Sequence, residues 1–169
     1  MNTNIRLTLV ESLDTELELS LSRLLISVVE DGASIGFLPP VKHEEAHLYW
    51  QNVIQPGTML WIAKEKDIIV GTIQLQLASK ANARHRAEMA KLMVHPEHRR
   101  KGIAGLLLST AEAAAVSEAR ELIVLDTREG DPSNILYQSR GYIEGGRIPY
   151  YVRSANGELH ATVIYYKKL

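Results

Sequence analysis

The stretch AEMAKLMVHPEHRRKGIAGLLL, from Ala87 to Leu108, decides how this chain is read. Ala87 to Val94 reads as a strand. Pro96 and three successive cations, Arg99, Arg100 and Lys101, then lead to Gly102, which opens a helix running to about Ala119. Ile103, Leu106, Leu107 and Thr110 recur at helical spacing on one of its faces. Leu122 to Leu125 follows as an unbroken apolar run, the mark of a strand covered on both faces. Strand, helix and strand in that order require a parallel pair with a right-handed crossover. Ligands of open α/β sheets sit at the carboxyl ends of such strands, which is where the basic loop falls.

Upstream, Asn4 to Val10 alternates as a strand, and Leu17, Leu21, Leu24, Leu25 and Val28 place a helix over Asp14 to Glu30. Gly32 ends that helix, and His43 to Ile54 reads as a second one. Met59 to Lys64 and Ile68 to Leu77 form a hairpin; Ile73, Leu75 and Leu77 alternate with Thr72, Gln74 and Gln76, as in a half-exposed antiparallel strand. Downstream, Asp131-Pro132 pairs an N-cap with Pro at the first helical position and starts a short helix to Ser139. Strands over Tyr142 to Ile148 and His160 to Lys167 end the chain. The order β-α-α-β-β-β-α-β-α-β-β predicts an α/β fold: a mixed, mostly antiparallel sheet of about seven strands, with a central parallel pair and four helices.

The 169 residues are 46% apolar and 23% charged, the balance of one globular domain over 1–169. The absence of cysteine excludes disulfides and thiolate metal sites. A net charge of −1 argues against a general nucleic-acid binder. No apolar run is long enough for a membrane span, and MNTNIRLTLVESLDTE lacks a leader pattern, so a soluble cytoplasmic protein is expected.

The basic loop admits three readings: a cradle for ligand phosphates, a solvated basic turn, or a nucleic-acid patch. A helix start leaves backbone N–H groups unpaired and carries about half a positive charge. Gly102 lets an anion approach the backbone, while Ala104 and Gly105 keep the first turn narrow. Cations at a helix start cost a few tenths of a kcal/mol each, a sign that a bound pyrophosphate reverses. Neither a P-loop nor a G-x-G-x-x-G pattern occurs.

Leu92-Met93-Val94-His95-Pro96 followed by Arg99-x-x-Gly102-x-Ala104 resembles the acyl-CoA signature of the GNAT family of N-acetyltransferases, and Leu136-Tyr137-x-x-x-Gly141-Tyr142 resembles its later L-Y-x-x-x-G-[FY] element. More loosely, GASIGF, RAEMAKLMV, LIVLDT and GELHATVIYYK look like the tabtoxin-resistance type of acetyltransferase. The resemblance implies acetyl-CoA as co-substrate. Backbone amides of Arg99, Arg100, Lys101, Gly102, Ile103, Ala104 and Gly105 would hold its pyrophosphate, and main-chain groups of Leu92, Met93 and Val94 its pantetheine arm. Many relatives carry an Asn seven residues before the Tyr; here that position is Gly130, and Asn134 is the candidate substitute.

Acetyl transfer to an amine needs a proton acceptor, an oxyanion donor and a proton for the leaving thiolate. Glu88 is the first candidate base, against a solvated or Lys91-paired role. Asp126, at the carboxyl edge of its strand, is a second base or a partner for the substrate ammonium, against a loop cap. Tyr137 matches the family tyrosine that protonates the thiolate, against a packing role. The expected reaction is acetylation of a small-molecule amine, with an amino-acid-like toxin or antibiotic as one acceptor, by a monomer or homodimer without membrane or nucleic acid. A catalytically silent acyl-CoA-binding module is the alternative. His43-Glu44-Glu45-Ala46-His47 matches H-E-x-x-H, but its place in a first helical turn and its missing third ligand disfavour a zinc peptidase, and no metal is expected. Trp50, Trp61, Tyr150 and Tyr151 read as core or interface residues, although Arg147 to Tyr151 could wall the acceptor site.

Overall fold

A computed structural model describes residues 4–169; the first three positions of the expected 1–169 domain lie outside the described residues. In chain order the elements are β1 (Ile5–Val10), α1 (Thr15–Glu30), α2 (His43–Gln51), β2 (Thr58–Glu65), β3 (Ile68–Leu77), β4 (Arg86–Val94), α3 (Ile103–Ser117), β5 (Leu122–Arg128), α4 (Ser133–Ser139), β6 (Ile143–Arg153) and β7 (Leu159–Lys168). One seven-stranded sheet runs β1-β2-β3-β4-β5-β7-β6. Every neighbouring pair is antiparallel except β4 and β5. The mixed sheet with its parallel pair and four helices is therefore the one that the hydrophobic pattern predicts.

Helices cover both faces. On one, α1 and α2 bury Leu21, Leu25 and Trp50 against Leu60 and Ile62; on the other, α3 buries Ile103, Leu107 and Ala111 against Val70, Ile73 and Ile123. Each fully buried leucine or isoleucine contributes about 1.5–3 kcal/mol. Asp14 starts α1 by accepting the Leu17 N–H at 2.8 Å, worth about 1 kcal/mol. No helix among the described residues is long and apolar enough to cross a membrane.

Four expectations shift. Strand β3 is buried from Ile69 to Leu75 rather than half-exposed, because helices press on both its faces. Its polar residues are satisfied inside: Thr72 Oγ1 donates to the Lys91 carbonyl at 2.9 Å, and Gln74 Nε2 to the Tyr49 hydroxyl at 2.7 Å. In β5 only Ile123 and Leu125 are fully buried. Leu106 lies one position off the seam of Ile103, Leu107 and Ala111 and is 48% exposed. The Asp131 side chain does not cap α4 but pairs with Arg128 at 2.8 Å.

Two irregularities interrupt the regular pairing of the sheet. Thr72 of β3 opposes Met93 and Gln74 opposes Ala90, so Lys91 and Leu92 of β4 share the place opposite Ile73. This bulge, with Lys91 at φ 51°, reverses the strand's alternation. Ala87 and Met89 pack on the α3 side before it; Leu92 and Val94 do so after it. Edge strand β6 runs past Ile148 to Arg153, but its register with β7 breaks between Ile148 and Val152, where Pro149 offers no N–H and Tyr150 sits at φ 58°.

Candidate active site

The first part of the site is a run of backbone amides. Gly102 caps α3 at φ 80° without a side-chain cap, and the first helical hydrogen bond joins the Leu106 N–H to its carbonyl. From Arg100 to Gly105, no N–H finds a backbone acceptor among the described residues. A Cβ on Gly102 would meet nothing within 4 Å, so the space above this glycine is open. Six adjacent donors at the positive end of a helix suit an anionic group of several oxygens.

The three cations of this loop part company. Arg99 pairs with Asp31 at 2.5 Å and donates to the Val94 carbonyl, while Lys101 pairs with Glu65 at 3.2 Å. Glu65 also takes His98 at 2.5 Å, and the hydrogen bond from Lys101 leads in holding its carboxyl below the usual range. Arg100, exposed at φ 62°, makes no ion pair among the described residues. Gly105 has a different reason from the one its spacing suggests: the Arg140 guanidinium fills the space that a Cβ there would need.

The second part is a cleft where β4 and β5 part. Their ladder holds only for Arg86–Leu122, Ala87–Ile123 and Glu88–Val124. Beyond it, the β5-facing edge of β4, including Leu92, Met93 and Val94, has no strand partner. The Met93 side chain is buried in the core under α1 and α2, so only its main chain can face a ligand.

Asp126 lies two residues past Val124, on the sheet face that Glu88 shares. The buried Thr162 hydroxyl donates to its carboxylate at 2.7 Å. Desolvation pushes the Glu88 carboxyl up and the Asp126 charge pushes it further, with Arg86 and Lys91 opposing. Tyr137, from α4, is buried among Tyr142 and Tyr165. Burial, then the Asp126 charge, holds its hydroxyl well above the ordinary tyrosine range. One carboxylate thus acts on side chains from β4 and α4, and the three candidate catalytic residues meet around it. They supply two proton acceptors and a hydroxyl that keeps its proton through neutral pH.

Two residues outside the sequence-based catalytic set also enter the cleft or its border. Lys91 stands over the Tyr49 ring at 5.6 Å from its centroid, and its Nζ comes within 3.5 Å of where a Gly36 Cβ would be. Burial lowers its pKa, with Asp126 and Glu88 opposing. It forms no ion pair with Glu88. Asn134 is turned inward: its Nδ2 donates to the Arg128 and Asp131 carbonyls, each at 2.9 Å, and its Oδ1 accepts from Tyr165 at 3.0 Å. It clamps α4 to the end of β5 and has no amide group left for a cofactor. Gly130 occupies a left-handed turn at φ 85°. In the H-E-x-x-H segment, His47 lies 3.4 Å from Glu18 and 3.0 Å from Gln51. Among the described residues no three metal-ligating side chains cluster.

A family model described as the acetyltransferase (GNAT) family matches residues 22–142. Human N-acetyltransferase 8B is 30% identical over 112 residues, covering 65% of this chain and 49% of that protein. The chain thus spans about half the length of the curated relatives it matches. An N-acetyltransferase of Staphylococcus aureus Mu50 superposes with a TM-score of 0.82 at 13% identity, covering 98% of each chain. YncA of Salmonella typhimurium, solved with its cofactor acetyl-CoA, gives 0.76 at 19% identity over 96% of this chain and 94% of that one.

Proposed function

The chain belongs to the acetyltransferase (GNAT) family, and from that premise we propose that it moves an acetyl group from acetyl-CoA to the primary amine of a small molecule by direct attack in a ternary complex. The observation that carries this reading is the run of unpartnered amides from Arg100 to Gly105, set beside the bare edge of β4. Acetyl-CoA supplies an acetyl group activated as a thioester. The amides of Arg100 to Gly105 would hold its pyrophosphate, and the β4 edge at Leu92 to Val94 would take its pantetheine arm as an added strand. With Arg99 and Lys101 tied to carboxylates, Arg100 is the cation left to add charge there.

Glu88 takes the proton of the acceptor amine. An alkylammonium of pKa about 10.4 costs roughly 4–5 kcal/mol to deprotonate at pH 7. A positioned base offsets part of this, and such groups typically give about 10²–10⁴-fold in rate. Asp126, oriented by Thr162, holds the arriving ammonium and keeps Glu88 a stronger base. Tyr137, protonated through neutral pH, gives its proton to the leaving sulfur. A cysteinyl acyl-enzyme is excluded because the chain has no cysteine.

The likeness of GASIGF and RAEMAKLMV to the tabtoxin-resistance type points to an amino-acid-like toxin or antibiotic as acceptor. We read residues 1–169 as one acetyltransferase domain acting in the cytoplasm as a monomer or homodimer. The test mixes the chain with acetyl-CoA and a panel of primary amines and follows free thiol. Release that depends on the amine is expected. Calorimetric binding of acetyl-CoA with no release for any amine would instead make the chain a silent acyl-CoA-binding module.

A further inference from the structure

Lys91 is a half-buried cation without an anion. Other half-buried cations, Arg128 and Lys167, lie against Asp131 and Glu112 at 2.8 and 3.0 Å. Lys91 has the face of Tyr49 and no ion pair among the described residues. A charge taken out of water is costly unless it is paired. The fold also goes out of its way to put this one in the cleft. Regular alternation from Ala87 and Met89 would send residue 91 toward α3; the bulge turns it toward α2 instead, and the Thr72 hydroxyl fixes the carbonyl at the turning point. Glu88 and Asp126 reach the same cleft without pairing with Lys91, so opposite charges face one another across space that a ligand can enter.

We propose that Lys91 binds an anionic group of the acceptor, so that the acceptor is a zwitterion whose amine faces Glu88 and Asp126 and whose carboxylate, or an equivalent oxyanion, faces Lys91. This rests on the acetyl-transfer reading and adds the substrate class to it: an α-amino acid or close analogue rather than a plain amine or polyamine. The raised Glu88 and lowered Lys91 pKa values agree with a cleft that receives a ligand of no net charge. The Tyr49 ring and the close approach at Gly36 keep the lysine in place, with the Tyr49 hydroxyl itself held by Gln74.

The test uses the common L-amino acids, each compared with the amine that remains when its α-carboxyl group is removed. Binding is measured by calorimetry on the CoA-loaded chain, where no acetyl group is present. At least one pair should show about tenfold to hundredfold tighter binding of the amino acid, the span of one charge-assisted contact. Lys91→Met should bring that ratio to about one, and Lys91→Arg should restore most of it. An intact thermal transition and unchanged CoA affinity in both variants exclude misfolding as the cause. The inference is overturned if the amines bind as well as their amino acids, if no member of any pair binds, or if Lys91→Met keeps the ratio. Thiol release with acetyl-CoA on the same pairs reports separately on the reaction: carboxylate-dependent binding without release supports the role of Lys91 and overturns acetyl transfer.

Discussion

At the opening of α3, the groups offered to a ligand are backbone amides from six consecutive residues, Arg100 to Gly105. In the cleft beside it, they are side chains from separate elements: Glu88 and Lys91 of β4, Asp126 of β5, Tyr137 of α4 and Tyr49 of α2. The first region depends on helix geometry and one glycine, and its side chains are largely occupied elsewhere. In the second, each side chain's charge state depends on its neighbours. Donor binding should therefore tolerate side-chain exchange at the loop and resist it at the glycine. Catalysis should fail whenever a single cleft side chain changes.

The largest effect that sharpens this contrast is expected for Glu88→Gln. It should lower kcat by about 10²–10⁴-fold in steady-state thiol release, with acetyl-CoA affinity by calorimetry almost unmoved. An equal loss of affinity would erase the distinction between the two regions. Tyr137→Phe should slow turnover by about 10–100-fold with the same unchanged affinity; wild-type turnover would remove its acid role. On the other side, Gly102→Ala forces a Cβ into a left-handed conformation, at a cost of about 1 kcal/mol in stability. It should weaken acetyl-CoA binding by about tenfold while leaving kcat at saturation close to normal.

The pH profile breaks the tie between the two carboxylates. Glu88 is raised by burial and then by Asp126, so the acidic limb of kcat/KM should lie above the ordinary carboxylate range. Removing that like charge with Asp126→Asn should move the limb to lower pH in whatever activity remains. If the limb does not move, the base is not Glu88. The smallest effect is expected from Arg99→Gln. Arg99 already pairs with Asp31 at the surface, so acetyl-CoA affinity should change by less than about threefold. A large loss would mean that Arg99 leaves Asp31 when the cofactor binds.

The same contrast explains what the sequence made legible. Gly102, the apolar positions of α3 and the preceding strand are contiguous, so periodicity and turn chemistry locate the amide run directly. Glu88 and Asp126 were accessible because each ends a strand segment at the edge of the parallel pair. The role of Lys91 was not, since it depends on a bulge that alternation alone hides: the pattern of RAEMAKLMV stays apolar at Leu92, Met93 and Val94 and marks no change of face. Asn134 misled for a related reason. Its spacing one turn before Tyr137 suits a ligand contact, but the Arg128 and Asp131 carbonyls at the end of β5 claim its amide first. Arg99 and Lys101 were legible as cations, but their carboxylate partners lie 68 and 36 residues away.

Strand β6 has its own consequence. Its eleven residues form the outer rim of the sheet and are largely exposed, with Ile143, Tyr150 and Tyr151 open to water. Such a rim is a template on which a stray chain can add and precipitate. Here Pro149 withholds a donor in mid-strand, Tyr150 bends the backbone out of line, and Arg147 stands between Glu144 and Glu129 as a charged barrier. The flaw in its pairing keeps an exposed, apolar rim from seeding aggregates in a crowded solution.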